Sequence, residues 1–270
     1  MAATIKDVAR ETGLSLATIS KYLNGGHVLE PNRAAIEAAV RRLGYSVNRV
    51  ARGLKTRRSM TVGVLIPDLE NVFATSIVSS LEDRLQRSGY STLVCDYRQD
   101  PVREREKLEF LAERQVDGLV IMPLAGCADG IRRLQERGVP VVLLDRTVAG
   151  CACDTVLTDN RKAAREAVDH LLRLGHRRIG LIGGPAGIQT ADERLAGYLD
   201  AHAARGIDAD PALRMAGAYD VESGHRHASA LLAMEPPPTA LFVVNHEMTL
   251  GAAMALVERQ VRIPGDMSVV

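Results

Sequence analysis

Apolar side chains recur at helical spacing near the start of the chain, and turn residues separate the stripes. Thr4 is placed to cap a helix over 5–12, and Ser15 is placed to cap a second helix over 16–23. A glycine lies between these two helices, where the chain must turn. A third helix is predicted to follow Pro31. Two short helices around a tight turn, backed by a third helix, predict a helix-turn-helix.

The second predicted helix has two different faces. Its apolar face is formed by Ile19, Tyr22 and Leu23. The opposite face carries Leu16, Ala17, Ser20 and Lys21. One face can pack against the other helices while the second face meets an outside partner. An ordinary three-helix bundle is the alternative, but it does not account for the polar side chains on the second face.

Residues 48–59, NRVARGLKTRRS, form a short basic segment. Asn48 can cap a helix of about eight residues that contains Leu54. The cations of that helix are Arg49, Arg52 and Lys55. Because so short a helix is marginal in water, we expect it to become ordered on a partner chain or on DNA. A bare linker is the alternative.

From residue 61 onward, short apolar runs alternate with amphipathic stretches. The runs that predict strands are TVGVLIPD, STLVCD, GLVIMP, PVVLLD, TVLTD, RIGLIGG, TALFVVN and MSVV. Strands rich in Val, Ile and Leu that are separated by helices indicate parallel sheets covered on both faces. On this pattern alone, one sheet of about eight strands is possible.

Polar residues end several of these predicted strands. They are Asp68, Asp96, Asp145, Asp159 and Asn245. Ligands bind outside the carboxyl ends of the strands in open parallel sheets, so these side chains together predict a ligand cleft. Each of them can instead cap the helix that follows it, and that alternative stays open for each single position.

Length and charge also divide the chain. A chain of 270 residues that is 46% hydrophobic is long enough for about two domains with cores. Residues 1–58 hold 11 Lys and Arg against 4 Asp and Glu, a net charge of +7, whereas residues 59–270 hold 23 against 29, a net charge of −6. This asymmetry indicates a basic module for a polyanion, joined to a larger body. Chance clustering on a solvated helix face is the alternative.

Several classes of protein are disfavoured by what the sequence lacks. No run of about 18 apolar residues occurs, and the start MAATIKDVARETG has no apolar core or cleavage site of a signal peptide. Disulfide or zinc-ligand spacing is missing among Cys95, Cys127, Cys151 and Cys153. The motifs GxSxG, HExxH and GxGxxG and the P-loop are absent. We therefore expect a cytoplasmic protein with no metal, no cofactor and no enzymatic activity.

The stretch TIKDVARETGLSLATISKYLNG, followed by LGYSVNRVARGL, resembles the DNA-binding headpiece and hinge of the lac repressor/galactose repressor family of bacterial transcription regulators. The resemblance implies that the second helix enters the major groove of double-stranded operator DNA. The implied base contacts are Leu16, Ala17 and Lys21. The implied phosphate contacts are Thr4, Ser15, Thr18 and Asn24. Leu54 matches a leucine that wedges into the minor groove. The further DNA-binding candidates are Ser20, Asn48, Arg49, Arg52 and Lys55.

The resemblance runs along the whole chain and implies its fold class. That class is an all-α helix-turn-helix headpiece joined to an α/β body like that of periplasmic sugar-binding proteins, with two parallel-sheet lobes that cross over near Asp159. The implied domains are a headpiece 1–46, a hinge 47–58, a first lobe 59–159 and a second lobe 160–270. The implied effector contacts are Phe73, Asp145, Asp159, Thr190, Arg194, Tyr219 and Asn245. A sugar or related metabolite is the expected effector, and a homodimer is the expected assembly.

Three features depart from the family pattern. Leu16 and Ala17 stand where the family often has polar residues, so the operator sequence is not predicted. His246 follows Asn245 where the family usually has an aspartate, which removes a capping or ligand carboxylate. Family members continue past the position of Val270, so we expect the last strands of both lobes to be missing.

We therefore predict a sequence-specific DNA-binding transcription regulator, a repressor whose operator affinity is controlled by a small-molecule effector. A cytosolic sugar-binding protein or an α/β enzyme without a DNA role is the alternative. The solute-binding protein of an importer would share the fold of the body, but the basic headpiece argues against it.

Overall fold

The computed structural model describes residues 3–23, 25–45 and 58–270. The chain divides into two compact units, one that ends at Met60 and one that begins at Thr61. The first unit contains the helices α1 Ile5–Thr12, α2 Leu16–Leu23 and α3 Glu30–Leu43. The second unit contains parallel strands that alternate with helices.

The helices of the first unit enclose a small apolar core. Its buried residues are Val8, Ile19, Ile36 and Ala39. Half-buried Tyr22 and Leu23 pack against this core, so α2 turns the predicted apolar face inward. The predicted bounds of α1 and α2 are confirmed. Helix α3 was predicted to follow Pro31, but it begins two residues earlier, at Glu30. Pro31 lies in its first turn, where a backbone N–H has no partner within the helix.

The turn between α1 and α2 is fixed by a glycine and a serine cap. Gly13 has a φ of 68°, a conformation that glycine adopts without strain. Its N–H donates to the carbonyl of Ala9 at 2.9 Å and closes the last turn of α1. Ser15 Oγ accepts a hydrogen bond from the N–H of Thr18 at 3.2 Å and opens α2. This turn sets the direction of α2 and therefore the face that it shows to solvent.

The second unit contains two parallel sheets. The first sheet consists of β1 Thr61–Ile66, β2 Ser91–Asp96, β3 Gly118–Ile121, β4 Val141–Leu144 and β5 Asp154–Val156, in the order β2-β1-β3-β4-β5. Its helices are α4 Val72–Arg87, α5 Pro101–Glu113 and α6 Ala128–Glu136. Val62 lies opposite Thr92 on one side and Gly118 on the other, so the carboxyl ends of β1, β2 and β3 meet at one edge. This sheet and its helices are called the first lobe.

The second sheet follows the first along the chain. It consists of β6 Ile179–Gly183, β7 Arg214–Ala216, β8 Ala240–Val243 and β9 Ser268–Val269, in the order β7-β6-β8-β9. Its helices are α7 Asn160–Arg173, α8 Gln189–Ala203, α9 Val221–Leu232 and α10 His246–Glu258. A 3-10 turn over Pro211–Leu213 leads into β7. This sheet and its helices are called the second lobe.

The presence of two sheets confirms the two-lobe body that the family resemblance implied, and it rules out a single sheet. Strand β7 was not predicted. Its sequence is Arg-Met-Ala and none of these residues is fully buried, so it carries no apolar run. Strand β5 begins one residue before the predicted TVLTD run, and all three of its residues are exposed at the edge of the sheet.

Each lobe has its own buried core with a satisfied tyrosine. Tyr97 in the first lobe is fully buried, and its hydroxyl donates to the carbonyl of Met122 at 2.8 Å. Tyr198 in the second lobe is fully buried, and its hydroxyl donates to the carbonyl of Ile179 at 2.8 Å. All four cysteines are free. No helix in the described part of the chain has the length and apolar character that a membrane span requires.

Candidate functional site

The outer face of α2 is the first candidate surface. Leu16 is 45% exposed, and Ala17 and Lys21 are exposed as well. Thr18 and Ser20 are half-buried. The helix thus presents methyl groups and an ammonium donor on one side while its other side is buried. This is the arrangement that the two-faced pattern of the sequence predicted.

Hydroxyl groups lie at the N-termini of α1 and α2. Thr4 Oγ1 donates to Asp7 Oδ2 at 2.7 Å, and the N–H of Thr4 donates to the same oxygen at 2.9 Å. These hydrogen bonds hold the pKa of the Asp7 carboxyl below its ordinary value. The hydroxyls of Ser15 and Thr18 lie 2.9 Å apart. All three hydroxyls therefore already have hydrogen-bond partners, and phosphate binding by them stays a prediction.

A half-buried hydrogen bond between Tyr22 and Glu37 holds α2 against α3. The hydroxyl of Tyr22 donates to Glu37 Oε1 at 2.6 Å, and Arg33 Nε donates to the same oxygen at 2.9 Å. The Tyr22 hydroxyl and the Arg33 guanidinium lower the pKa of the Glu37 carboxyl. The same hydrogen bond raises the pKa of Tyr22, because the carboxylate favours the protonated phenol. The contact fixes how α2 is oriented on the headpiece.

Part of the predicted DNA-binding set lies outside the described residues. These residues are Asn24, Asn48, Arg49, Arg52, Leu54 and Lys55. Their roles stay predictions, as do the predicted domain boundaries.

The end of β4 carries the second candidate site. Asp145 has a φ of 66°, and the N–H of Arg146 donates to the carbonyl of Leu144 at 2.7 Å. A three-residue turn with a positive φ at a non-glycine residue is strained, and such strain clusters at functional sites. The Asp145 side chain is only 12% exposed. Burial raises its pKa, although the guanidinium groups of Arg146 and Arg194 oppose the shift.

Arg146 is a candidate residue that sequence analysis did not single out. It is buried, and its Nε lies 3.7 Å from Asp145 Oδ2. Its Nη1 donates to the carbonyl of Pro123 at 3.5 Å, whereas its Nε has no hydrogen-bond partner among the described residues. A buried donor without a partner is rare and calls for an explanation. The sequence signal was weak, because an arginine after a strand is usually a surface residue.

Glu104 places a second buried carboxyl in the first lobe. It is 2% exposed, and its Oε1 accepts a hydrogen bond from the N–H of Leu124 at 2.8 Å. Burial raises its pKa to about 7, against the opposing effects of that hydrogen bond, the Cys127 thiol and the Arg146 charge. The sequence hid this residue within the charged run REREKLE of α5.

Arg194 lies on α8 and is tied to its own lobe by two hydrogen bonds. Its Nε donates to Asn160 Oδ1 at 2.9 Å, and its Nη1 donates to the carbonyl of Val244 at 2.7 Å. These bonds use two of the five N–H donors of a guanidinium. Its charge, from the second lobe, opposes the rise in the pKa of Asp145 in the first lobe. Thr190, one turn earlier on α8, is buried.

Tyr219 has two unusual features. Its φ is 64°, and its hydroxyl is buried without a hydrogen-bond partner among the described residues. The ring packs on Gly184, since a Cβ added at that glycine would lie 2.3 Å from the ring. Gly184 lies directly after β6. Because glycine has no side chain, the ring of Tyr219 can pack against the backbone at this position.

Three other predicted effector residues have different surroundings. Asp159 caps α7, where its Oδ1 accepts from the N–H of Lys162 at 3.1 Å. Asn245 caps α10, where its Oδ1 accepts from the N–H of Met248 at 3.1 Å. Phe73 is 48% exposed in the first turn of α4. Asp159 and Asn245 therefore cap helices in this structure, as the alternative to ligand binding predicted. Effector binding by them stays a prediction.

A cavity of about 260 Å³ in the second lobe borders Gly184, on which the ring of Tyr219 packs. It is formed by the ends of β6 and β7 and by one side of α8, and it includes Gly184 but none of the predicted effector residues. Asp192 and Arg214 are the charged residues of its wall. Gly183 and Gly184, at the end of one predicted strand, thus line the cavity, and the cleft between the lobes stays a prediction.

Two family profiles together match most of the chain. The profile of bacterial regulatory proteins of the lacI family matches residues 4–48. The profile of periplasmic binding proteins and sugar binding domains of the LacI family matches residues 59–270.

Curated relatives and solved structures agree with these profiles. The HTH-type transcriptional repressor PurR of Haemophilus influenzae is 34% identical over 99% of this chain and 80% of its own length. Catabolite control protein A of Priestia megaterium is 31% identical over 100% of this chain and 82% of its own length. The lac repressor dimer bound to operator and the anti-inducer ONPF matches with a TM-score of 0.86 at 29% identity, over 100% of this chain and 82% of that one. A complex of the transcriptional regulator CelR with cellobiose matches with a TM-score of 0.69 at 30% identity, over 99% and 81%.

Proposed function

The chain belongs to the LacI family of bacterial transcription regulators, and from that premise we propose which of its surfaces reads DNA and which binds the effector. It is a sequence-specific DNA-binding regulator whose operator affinity is controlled by a small-molecule effector. Its relatives are transcriptional repressors and not enzymes. An enzyme and a sugar-binding protein without a DNA role are therefore set aside.

The exposed face of α2 is proposed to read bases in the major groove. Lys21 can donate to O6 and N7 of guanine, and Leu16 and Ala17 can contact thymine methyl groups. The exposure of these three side chains on a helix whose other face is buried is the observation that carries the proposal. Ser20 lies on the same helix and can donate to a base or to a phosphate.

The N-termini of the headpiece helices are proposed to bind phosphates. Ser15 caps α2 and Thr18 lies in its first turn, where N–H groups and the helix dipole attract an anion. Thr4 lies at the corresponding end of α1. Asn24 is proposed as a further phosphate contact because of the family resemblance.

Residues 47–58 are proposed to form the hinge between a headpiece 1–46 and lobes 59–159 and 160–270. The support is their composition, in which cations surround one leucine. Asn48 would cap a hinge helix, and Leu54 would wedge between base pairs at the centre of the operator. The phosphate contacts would come from Arg49, Arg52 and Lys55.

The effector is proposed to bind between the lobes, beside Asp145 and Arg194. Asp145 can accept hydrogen bonds from hydroxyls, and the free donors of Arg194 suit vicinal hydroxyls or a carboxylate. Arg146 Nε and the Tyr219 hydroxyl are buried without partners among the described residues, and each would have to turn toward the ligand to gain one. A polyhydroxylated metabolite such as a sugar fits this donor set. The remaining proposed contacts are Phe73, Asp159, Thr190 and Asn245.

A homodimer would present two headpieces to adjacent half-sites of a roughly palindromic operator. The proposed subunit contact includes α10, where Leu250, Met254 and Val257 form an exposed apolar stripe at helical spacing. Effector binding would change the arrangement of the lobes and with it the spacing of the headpieces. The coupling must be reciprocal, and it is typically about 1–3 kcal/mol. Because its target is bacterial DNA, we propose that the protein works in the cytoplasm.

Selection of bound fragments from a pool of random duplexes tests this function. We expect one roughly palindromic site to be enriched, with an affinity that falls as salt rises. Lys21→Ala should relax the preference, whereas Lys162→Ala, which removes an exposed lysine of the second lobe, should leave it unchanged. A pool without any enriched site would contradict the proposal.

A further inference from the structure

The two lobes have separate apolar cores. In the described part of the chain, each cluster of buried apolar residues belongs to one lobe. Among the described residues, polar bridges from Gln189 and from Glu247 cross from lobe to lobe, and both lie close in the chain to the proposed effector residues. The arrangement of the lobes therefore depends strongly on a few hydrogen bonds.

The first bridge joins the loop after β4 to the start of α8. Gln189 Oε1 accepts hydrogen bonds from the N–H of Thr147 at 2.7 Å and from the Thr147 hydroxyl at 2.9 Å. The other end of the same amide donates to Glu193 Oε1 at 2.8 Å. Thr147 lies two residues after Asp145, and Gln189 and Glu193 precede Thr190 and Arg194 directly. The bridge thus fixes the distance between the strained turn of the first lobe and the helix that carries Arg194.

The second bridge joins the caps of two helices. Glu247 Oε1 accepts from Asn71 Nδ2 at 3.2 Å, and Glu247 Oε2 accepts from Asn245 Nδ2 at 2.5 Å. Asn71 caps α4 of the first lobe and Asn245 caps α10 of the second, each through its side-chain oxygen. One carboxylate therefore links the N-terminus of α4, next to Phe73, to the N-terminus of α10. All three side chains are half-buried.

We propose that Gln189 and Glu247 are positioning residues that hold the lobes closed on either side of the cleft and so set how far effector binding changes operator affinity. Neither residue has to contact the effector. Each has one partner in the other lobe and a second partner in its own lobe that orients its side chain. This inference rests on the proposed function for its link to the operator, but the bridges themselves can be measured without DNA or effector.

The bridges are weak enough to act as a switch. A net hydrogen bond changes an equilibrium by about two- to tenfold, so breaking one bridge shifts the lobes without unfolding either core. A ligand moves such an equilibrium only by its differential affinity for the two arrangements. Two small bridges leave that equilibrium within reach of a small metabolite.

The amide hydrogen of Thr147 reports directly on the first bridge, because its acceptor is the Gln189 side chain in the other lobe. In the full chain we expect Gln189→Ala to speed hydrogen exchange at this amide by about two- to tenfold. The matched control is Gln135→Ala, which removes an amide that donates to the carbonyl of Ala152 within the first lobe. The control should leave exchange at Thr147 unchanged.

The link to the operator is measured with the duplex that the random-pool selection enriches. We expect Gln189→Ala, Thr147→Val and Glu247→Ala each to change the affinity for that duplex by at least about twofold. Thr147→Val removes the hydroxyl hydrogen bond of the first bridge and keeps its backbone N–H, whereas Gln189→Ala removes the acceptor of both. Thr147→Val should therefore have no further effect once Gln189→Ala is present, so the two effects should not add. Glu247→Ala should add to either of them. An unchanged Thr147 amide in Gln189→Ala, or fully additive effects of that pair, would overturn the inference, whereas a wild-type chain that enriches no duplex would overturn only the proposed function.

Discussion

The helix proposed to read DNA and the proposed effector cleft are built in opposite ways. In α2, eight consecutive residues supply both the buried face and the exposed face. In the cleft, Asp145 follows a strand of the first lobe and Arg194 lies on a helix of the second. The reading surface can therefore change its residues without disturbing the fold, whereas a change in the cleft also touches the strands and bridges that bring its parts together.

The headpiece and the first lobe also differ in the direction in which they shift the pKa values of carboxyl groups. In the headpiece, hydrogen bonds at the surface lower the pKa of Asp7 and of Glu37. In the first lobe, burial raises the pKa of Asp145 and of Glu104. Carboxylates thus support the headpiece in their charged form, while Glu104 and Asp145 are held where the charged form is disfavoured. Glu104 and the headpiece carboxylates should therefore change stability with opposite dependence on pH. The second lobe also has carboxyls with lowered pKa values, at Asp169, Asp200, Asp220 and Asp266, so the contrast holds for Glu104 and not for the whole body.

The largest expected effect separates the stability of the two units. Ile19 is fully buried in a headpiece core of few residues, so Ile19→Ala should destabilise that unit by about 2–5 kcal/mol. The reason is the lost burial together with the cavity that remains. Urea unfolding followed by circular dichroism and by limited proteolysis should show early loss of the headpiece and an unchanged body. Ile19→Val should cost about 0.5–1.5 kcal/mol. One common transition that shifts as a whole would contradict the independence of the units.

The pH response of the body is the next largest effect. Glu104 has a pKa of about 7 in the folded chain and an ordinary pKa of 4.5, so between these values the folded chain holds a proton that the unfolded chain releases. The contribution is fully present below about pH 4.5 and is lost as the pH rises through 7, by up to about 3 kcal/mol. Unfolding free energies measured from pH 5 to pH 8 should fall less steeply in Glu104→Gln than in the wild type.

The headpiece provides the contrast for that measurement. The lowered pKa values of Asp7 and Glu37 give stability that is present above their ordinary values and is lost as the pH falls towards the folded values. Acid should therefore destabilise the headpiece, whereas in the body it protonates Glu104 and so removes the cost of burying a charged carboxylate. Equal slopes for the body of the wild type and of Glu104→Gln would show that burial does not raise the pKa of Glu104.

The sequence predicts a feature well when consecutive residues form it, as in α2, and poorly when residues far apart in the chain form it, as in the cleft. Helix α2 was predictable to the residue because its cap, its apolar stripe and its exposed face are local. The number of sheets was not, because apolar runs do not say which strands pair; only the family resemblance implied two lobes. Strand β7 has no apolar run to reveal it. Arg146 and Glu104 were missed because burial of a charged side chain depends on tertiary packing.

Replacement of Lys21 tests the reading face directly. If its ammonium donates to a guanine, Lys21→Ala should lower the discrimination between operator variants by about 1–3 kcal/mol. Binding to a panel of single-base operator variants, measured at one salt concentration, checks this. An equal loss on every variant, with a shallower salt dependence, would instead make Lys21 a phosphate contact.

The smallest effect separates the two roles of Ser15. As a cap, its Oγ accepts from the N–H of Thr18, so Ser15→Ala should destabilise the headpiece by about 1 kcal/mol. Ser15→Gly removes the same hydroxyl, yet glycine at a cap costs only about a few tenths of a kcal/mol. If the hydroxyl also donates to a phosphate, both variants should lose operator affinity by similar factors despite their different stabilities. Operator affinity and headpiece unfolding measured on the same two variants decide this. A glycine variant with wild-type affinity would restrict Ser15 to capping, and the proposed phosphate contact at the start of α2 would then rest on its backbone N–H groups.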